Sequence, residues 1–176
     1  IRAVFAAAPK GILAVVDAGA IDALDFAELK SHSLLLTPHV GELARLLNRL
    51  ESTDENTAES VTESSFLAAN RAAKLTGQTI LLKGNRTVVI KPSGEGRVIG
   101  PNSPHLATAG SGDVLAGIIG AIAAANADDR KFEWLDVAEL SVRMHSAAAE
   151  LASESGAVNA SSLLVALGEI SGGMLK

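Results

Sequence analysis

Chemistry concentrates in one stretch of this chain, LATAGSGDVLAG, from Leu106 to Gly117. Small residues let backbone amides turn toward a ligand with no Cβ in the way. Where such a loop opens a helix, the first-turn N–H groups carry about half a positive charge. Gly110, Ser111 and Gly112 therefore suit a phosphate. Asp113 falls in the first turn of that helix, where a carboxylate can take a proton from a hydroxyl as the hydroxyl attacks phosphorus. The same position equally suits a plain first-turn acid that satisfies helix amides, worth about 1 kcal/mol. A second cluster, Thr37-Pro38-His39-Val40-Gly41-Glu42, follows an apolar run and opens another helix. Open α/β sheets bind ligands at such carboxyl ends of strands. His39 could hydrogen-bond a substrate there, and Glu42 could cap the helix or orient a metal-bound water. The third cluster, Lys83-Gly84-Asn85-Arg86-Thr87, offers an ammonium and a glycine turn, compatible with nucleotide contacts and equally with a solvated hairpin. No direct metal-ligand set is assigned.

These clusters need strands that end beside them and helices that begin there. Residues 12–16 (ILAVV) and 33–37 (SLLLT) read as buried strands. Residues 40–50 place Leu43, Leu46, Leu47 and Leu50 on one helical face, whereas residues 21–30 show weaker helical spacing. The polar stretch 51–63 reads as a connection feeding a helix over about residues 61–75, which Gly77 ends. Residues 79–83 and 87–91 are expected as strands around a tight turn, with a further strand at 97–99. Helices are expected over 113–125, 133–153 and 161–170. Strands alternating with helices point to an α/β fold, a parallel sheet in a three-layer αβα arrangement.

Composition narrows the possibilities. The chain has 176 residues, enough for one domain that buries roughly 70% of its unfolded surface. Its net charge of −5 has the wrong sign for neutralising a phosphate backbone, so nucleic acid is not expected as a partner. With no cysteine, disulfides, thiolate metal sites and cysteine nucleophiles are excluded, which fits a cytoplasmic small-molecule enzyme. The uncharged run 114–125 is far shorter than the roughly 20 residues that span a bilayer, and no membrane association or signal peptide is read.

LTPHVGE, KGNRT and LATAGSGDVLAG, in that order and spacing, resemble the ADP- or ATP-dependent NAD(P)H-hydrate dehydratases, members of the ribokinase-like superfamily. VVDAGAIDAL near the start and MHSAAAELA with NASSLLVAL near the end extend the resemblance over essentially the whole chain. It implies a ribokinase-like, mostly parallel sheet flanked by helices. Residues 1–176 would then be the carboxyl-terminal portion of one larger domain. Relatives carry early strands and a Gly-rich segment before VVDAG, so an exposed sheet edge is expected.

The implied reaction is a repair. NADH or NADPH hydrated at nicotinamide C6 (NADHX, NADPHX) is phosphorylated on the added hydroxyl and loses phosphate, giving NAD(P)H, AMP and phosphate when ADP is the donor. By resemblance Asp113 is the base, and Gly112 with its neighbours Gly110 and Ser111 is the anion hole. Lys83, Gly84, Asn85, Arg86, Thr87 and Gly112 bind nucleotide, and His39 with Asp113 binds the hydrate. Asp17 and Glu42 could organise Mg2+ and water. ADP and ATP are not distinguished. A homo-oligomer is expected, and an NAD(P)H-hydrate epimerase is a possible partner, fused or separate.

The chain departs from the family pattern at Gly19, Ala109, Ser146 and Ala149, and His145 is read as a packing or capping residue. Two other functions stay open: a ribokinase-like vitamin-precursor kinase, which more usually carries Asn where His39 stands, and a nucleotide-binding remnant without turnover.

Overall fold

The central strands are short and apolar at nearly every position because both of their faces are covered, as expected for strands buried between helical layers. The computed structural model describes residues 11–127 and 133–174, together with Phe5, Ala8 and Pro9. Five strands, β1 (Leu13–Val16), β2 (Ser33–Leu36), β3 (Thr79–Leu82), β4 (Thr87–Ile90) and β5 (Gly96–Ile99), lie side by side in chain order. β1, β2 and β3 are parallel, while β4 runs against both β3 and β5, so four of the five strands share one direction. The sheet is thus mostly parallel, with an antiparallel meander at one side.

Alternation along each strand divides the core. Leu34, Leu36, Ile80, Leu82, Val88 and Ile90 pack with α1 (Val40–Glu51), α2 (Ala58–Glu63) and α3 (Ser65–Thr76). Leu35, Leu81, Val89 and Ile99 point the other way, onto α4 (Ser111–Ala125) and α5 (Trp134–Ser153). A third cluster joins helices alone, with Val114 of α4, Ala148, Ala149 and Ala152 of α5, and Leu163 and Ala166 of α6 (Ala160–Met174). Small alanines line the contact among these three helices. Among the described residues no helix is long and apolar enough to cross a membrane.

Two local expectations need correction. Residues 21–30 do not form a helix: a 3-10 turn over Ala18–Ala23 gives way to irregular turns. Ile21, Leu24, Phe26 and Leu29 are nevertheless buried. The Asp25 carboxylate accepts from the Ala27 amide at 3.1 Å, a local side-chain bond that competes with helical pairing. The single helix expected over 61–75 is two helices, broken at Ser64 (φ −128°, ψ 41°). The first begins at a Thr57 capping box closed by Ser60. At the sheet's other margin β1 pairs only with β2 among the described residues and is an edge strand.

Candidate active site

Because β1, β2 and β3 are parallel, their carboxyl ends reach one margin of the sheet and bring Asp17, Thr37 to His39, and Lys83 together. The Lys83 amide donates to the Pro38 carbonyl at 2.8 Å, and His39 and Lys83 form an isolated parallel bridge just past the strands. Lys83 Nζ lies 2.6 Å from Asp17 Oδ1 and 4.0 Å from Glu42 Oε2. Thr37 Oγ1 donates to the same Asp17 oxygen at 2.8 Å. Two acids therefore bracket one ammonium, and all three groups are largely buried.

Helix α1 starts closed. His39 is its N-cap, and its Nδ1 accepts from the amides of Gly41 at 3.0 Å and Glu42 at 3.3 Å. Glu42 Oε2 accepts from the His39 amide at 2.8 Å, completing a capping box. An accepting Nδ1 puts the ring proton on Nε2. That nitrogen lies 3.5 Å from Glu42 Oε1 on a side chain 54% exposed. The capping expected of Glu42 is thus shared with His39, which caps with one nitrogen and carries its other nitrogen on a largely exposed ring.

Helix α4 starts open. Its N-cap, Gly110, sits at φ +82°, where an L side chain is strained, and a Cβ there would meet the Ala160 Cβ at 3.1 Å. Among the described residues no side chain caps this helix. The Ser111 hydroxyl is turned away to the Leu106 carbonyl at 2.8 Å. The Ser111 amide donates to the Thr108 carbonyl at 3.3 Å, and the amides of Gly112 and Asp113 are left for a ligand, the arrangement that binds phosphate at helix N-termini. A Cβ on Gly112 would stand 3.4 Å from Lys83 Nζ and 3.8 Å from Asp17 Oδ2, so the helix start abuts the acid–ammonium cluster. Asp113 follows, exposed, with no side-chain hydrogen bond among the described residues.

A cavity of about 570 Å³ opens beside that start. Lys83, Gly84, Asn85 and Thr87 of the β3–β4 turn line it, with Ser111 and Gly112 opposite and Leu106, Leu115 and Val142 forming an apolar wall. Five of the six residues expected to bind nucleotide therefore share one cavity with an apolar side fit for a base and a polar side fit for phosphates. Arg86 does not line it and is exposed on the outside of the turn. The pair expected to bind the hydrate, His39 and Asp113, lies outside this cavity, as do Asp17 and Glu42.

The structure adds Asn102, Ser103 and His145 to the cavity wall. Asn102 Nδ2 donates to the Gly84 carbonyl at 2.8 Å and to Thr87 Oγ1 at 2.9 Å, which fixes the turn. Gly100 at φ +128° makes this possible, since a Cβ there would meet the Asn85 carbonyl at 2.8 Å. His145 is 5% exposed and its Nε2 has no hydrogen-bond partner among the described residues. Burial pushes its imidazole down to about 4, against a smaller opposing pull from the backbone of Ser111. The reading of His145 as a packing residue holds for its burial but misses its place in the cavity wall.

Comparison with known proteins bears on the family and the fold. The chain is 43% identical over 114 residues to the bifunctional NAD(P)H-hydrate repair enzyme of Moorella thermoacetica, covering 62% of this chain and 20% of that protein. It is 36% identical over 128 residues to the ADP-dependent (S)-NAD(P)H-hydrate dehydratase of Neisseria meningitidis serogroup B, covering 73% of this chain and 39% of that one. The chain thus spans well under half the length of these relatives. Its fold matches the Bacillus subtilis ADP/ATP-dependent NAD(P)H-hydrate dehydratase co-crystallised with ATP/Mg2+ and soaked with CoA. The TM-score is 0.67 at 25% identity, over 89% of this chain and 54% of that one. A hydroxyethylthiazole kinase from Pyrococcus horikoshii shares the fold at 21% identity, with a TM-score of 0.62 over 87% of this chain and 56% of that one. Residues 3–170 match the family model described as NAD(P)H-hydrate dehydratase, and the chain belongs to that family.

Proposed function

We infer that this chain carries the nucleotide and phosphoryl-transfer part of an ADP-dependent (S)-NAD(P)H-hydrate dehydratase. The observation that carries the reading is the uncapped start of α4, with Gly112 set between the cavity and the Asp17–Lys83 pair. ADP places its base against Leu106, Leu115 and Val142 and its phosphates against the first-turn amides of α4 and Lys83. Fixed dipoles and one ammonium then face the charge that develops on the transferred group. The hydrate approaches from the side of His39 and Asp113. Asp113 takes the proton of the C6 hydroxyl as its oxygen attacks the β-phosphorus, and the bond to the departing AMP oxygen breaks. Phosphate then leaves C6 with the C–O electron pair, and loss of a proton from the neighbouring carbon restores the ring double bond of NAD(P)H.

Mg2+ fits this donor set in a limited way. No group of three His, Asp or Glu gathers among the described residues, so the chain offers no all-protein cage. Mg2+ is commonly held by one or two carboxylates plus phosphates and water, and Asp17 and Glu42 are the carboxylates that would hold it. When bound it would neutralise phosphate charge.

A vitamin-precursor kinase would use the same Asp113 and the same phosphate cradle. His39, where such kinases more usually carry Asn, favours the dehydratase. Incubating the protein with synthetic NADHX and ADP tests the choice. The expected outcome is recovery of dihydronicotinamide absorbance with AMP and phosphate released in equal amounts. Phosphorylation of hydroxyethylthiazole or hydroxymethylpyrimidine with NADHX left untouched would overturn the reading. The bifunctional relative suggests that an epimerase activity, fused or separate, supplies the reactive epimer.

A further inference from the structure

Asp17, Thr37 and Lys83 are each the first residue past a parallel strand, β1, β2 and β3 in turn. β2 lies between the other two, so Lys83 and Asp17 meet across its end. Thr37 stands at that end, and its side chain is the one beneath the crossing. A lysine stem is flexible, and its ammonium stands where its partners hold it. Here the partner is Asp17 Oδ1, 2.6 Å from Lys83 Nζ. The same oxygen accepts from Thr37 Oγ1 at 2.8 Å, while the Val16 carbonyl is farther from that hydroxyl, at 3.4 Å. A hydroxyl has one proton to give, so the carboxylate takes it, as a charge-assisted hydrogen bond.

Thr37 is 1% exposed and does not line the cavity, whereas Lys83 does. Any influence of Thr37 on a ligand in the cavity therefore passes through other side chains. Lys83 Nζ stands 3.4 Å from where a Cβ on Gly112 would lie, beside the open start of α4. Resting on the reading of the cavity as the nucleotide site, we propose that Thr37 is a positioning residue for phosphate recognition. Its hydroxyl fixes the Asp17 carboxylate, and that carboxylate sets where the Lys83 ammonium stands against the α4 amides. Two residues that do not line the cavity thus place the one ammonium that does.

The test is calorimetric titration of the protein, Thr37→Val, Thr37→Ser, Lys83→Gln and the double variant Thr37→Val/Lys83→Gln. The ligands are ADP and adenosine, the latter read by its competition with ADP, with Mg2+ present and with it removed by a chelator. Val keeps the shape of the side chain and removes the hydroxyl. Without Mg2+, Thr37→Val should weaken ADP about three- to tenfold, the size of one lost hydrogen bond, and leave adenosine unchanged. Thr37→Ser, which retains the hydroxyl, should bind ADP within about twofold of the parent. In the Lys83→Gln background the Thr37→Val change should add nothing, because residues that act through one another are not additive. If Thr37→Val does not fold, Thr37→Ala removes the same hydroxyl and is read in the same way. Equal losses for ADP and adenosine, or no loss, would overturn the proposal in favour of packing. A loss that persists in full beside Lys83→Gln, or one seen only with Mg2+ present, would overturn it by showing that Thr37 acts through something other than the ammonium. Failure of ADP to bind the parent protein at all would instead sink the nucleotide reading of the cavity.

Discussion

Two helices begin at the same margin of the sheet, and their first turns are treated in opposite ways. At α1 the His39–Glu42 box satisfies two amides with an imidazole and holds the cap backbone with a carboxylate. At α4 the cap is a glycine with no side chain, and the neighbouring serine turns its hydroxyl back to Leu106. The closed start contributes stability, since such caps are worth about 0.5–2 kcal/mol. The open start forgoes that and keeps its dipole for an anion. Binding capacity in this molecule is thus stability left unclaimed at one helix and claimed at its neighbour.

The largest effect that would sharpen this contrast concerns the acid at the open end. Asp113→Asn should lower turnover by about 10² to 10⁴ while leaving ADP affinity nearly intact, as steady-state kinetics beside direct titration would show. A loss below threefold would remove Asp113 from the chemistry.

The imidazole behind the open end comes next. Because the folded protein holds the His145 pKa at about 4 while the unfolded chain has an ordinary value near 6.5, the unfolded state binds more protons between those limits. Stability is therefore full above about pH 6.5 and falls as the solution is acidified toward 4. The difference reaches up to ~2 kcal/mol by pH 5. Urea midpoints at pH 7.5 and pH 5 should separate further in the parent than in His145→Phe, and parallel curves would refute the assignment.

A smaller effect is expected from Gly112→Ala. Its methyl would lie 3.4 Å from Lys83 Nζ, a flexible group that can shift, so the melting temperature should hardly move. By crowding the phosphate approach it should weaken ADP by roughly tenfold, or about 1.4 kcal/mol. The smallest effect belongs to the closed start: His39→Ala should cost about 1 kcal/mol of unfolding free energy and weaken the hydrate more than ADP. Equal weakening of both ligands would remove His39 from the substrate side.

What could be read in advance follows the range of the interactions. The glycine-rich start of α4, the turn at Lys83 and the strand patterns are local signals, and they lie where expected. Arg86 was grouped with its neighbours by motif, but in a four-residue turn successive side chains diverge, and its own points to solvent. His145 and Asn102 escaped because their partners are distant in sequence: the ring meets Ser111, and the amide meets Gly84 and Thr87. Residues 21–30 failed as a helix because Asp25 has a competing local acceptor role that spacing alone does not reveal.

The reversed strand β4 has a consequence for how the site comes into being. β3, β4 and β5 form a meander whose pairings span few residues, so the turn bearing Lys83, Gly84, Asn85 and Thr87 can form from local chain alone. Pairing β2 with β3 must close a loop from Leu36 to Thr79, and α4 must reach back across most of the chain to lie against β1. Loop closure over such distances slows assembly. The half of the pocket that grips the nucleotide from the turn is therefore expected early in folding. The half that cradles its phosphates arrives only when α4 docks, making site completion one of the last events of folding.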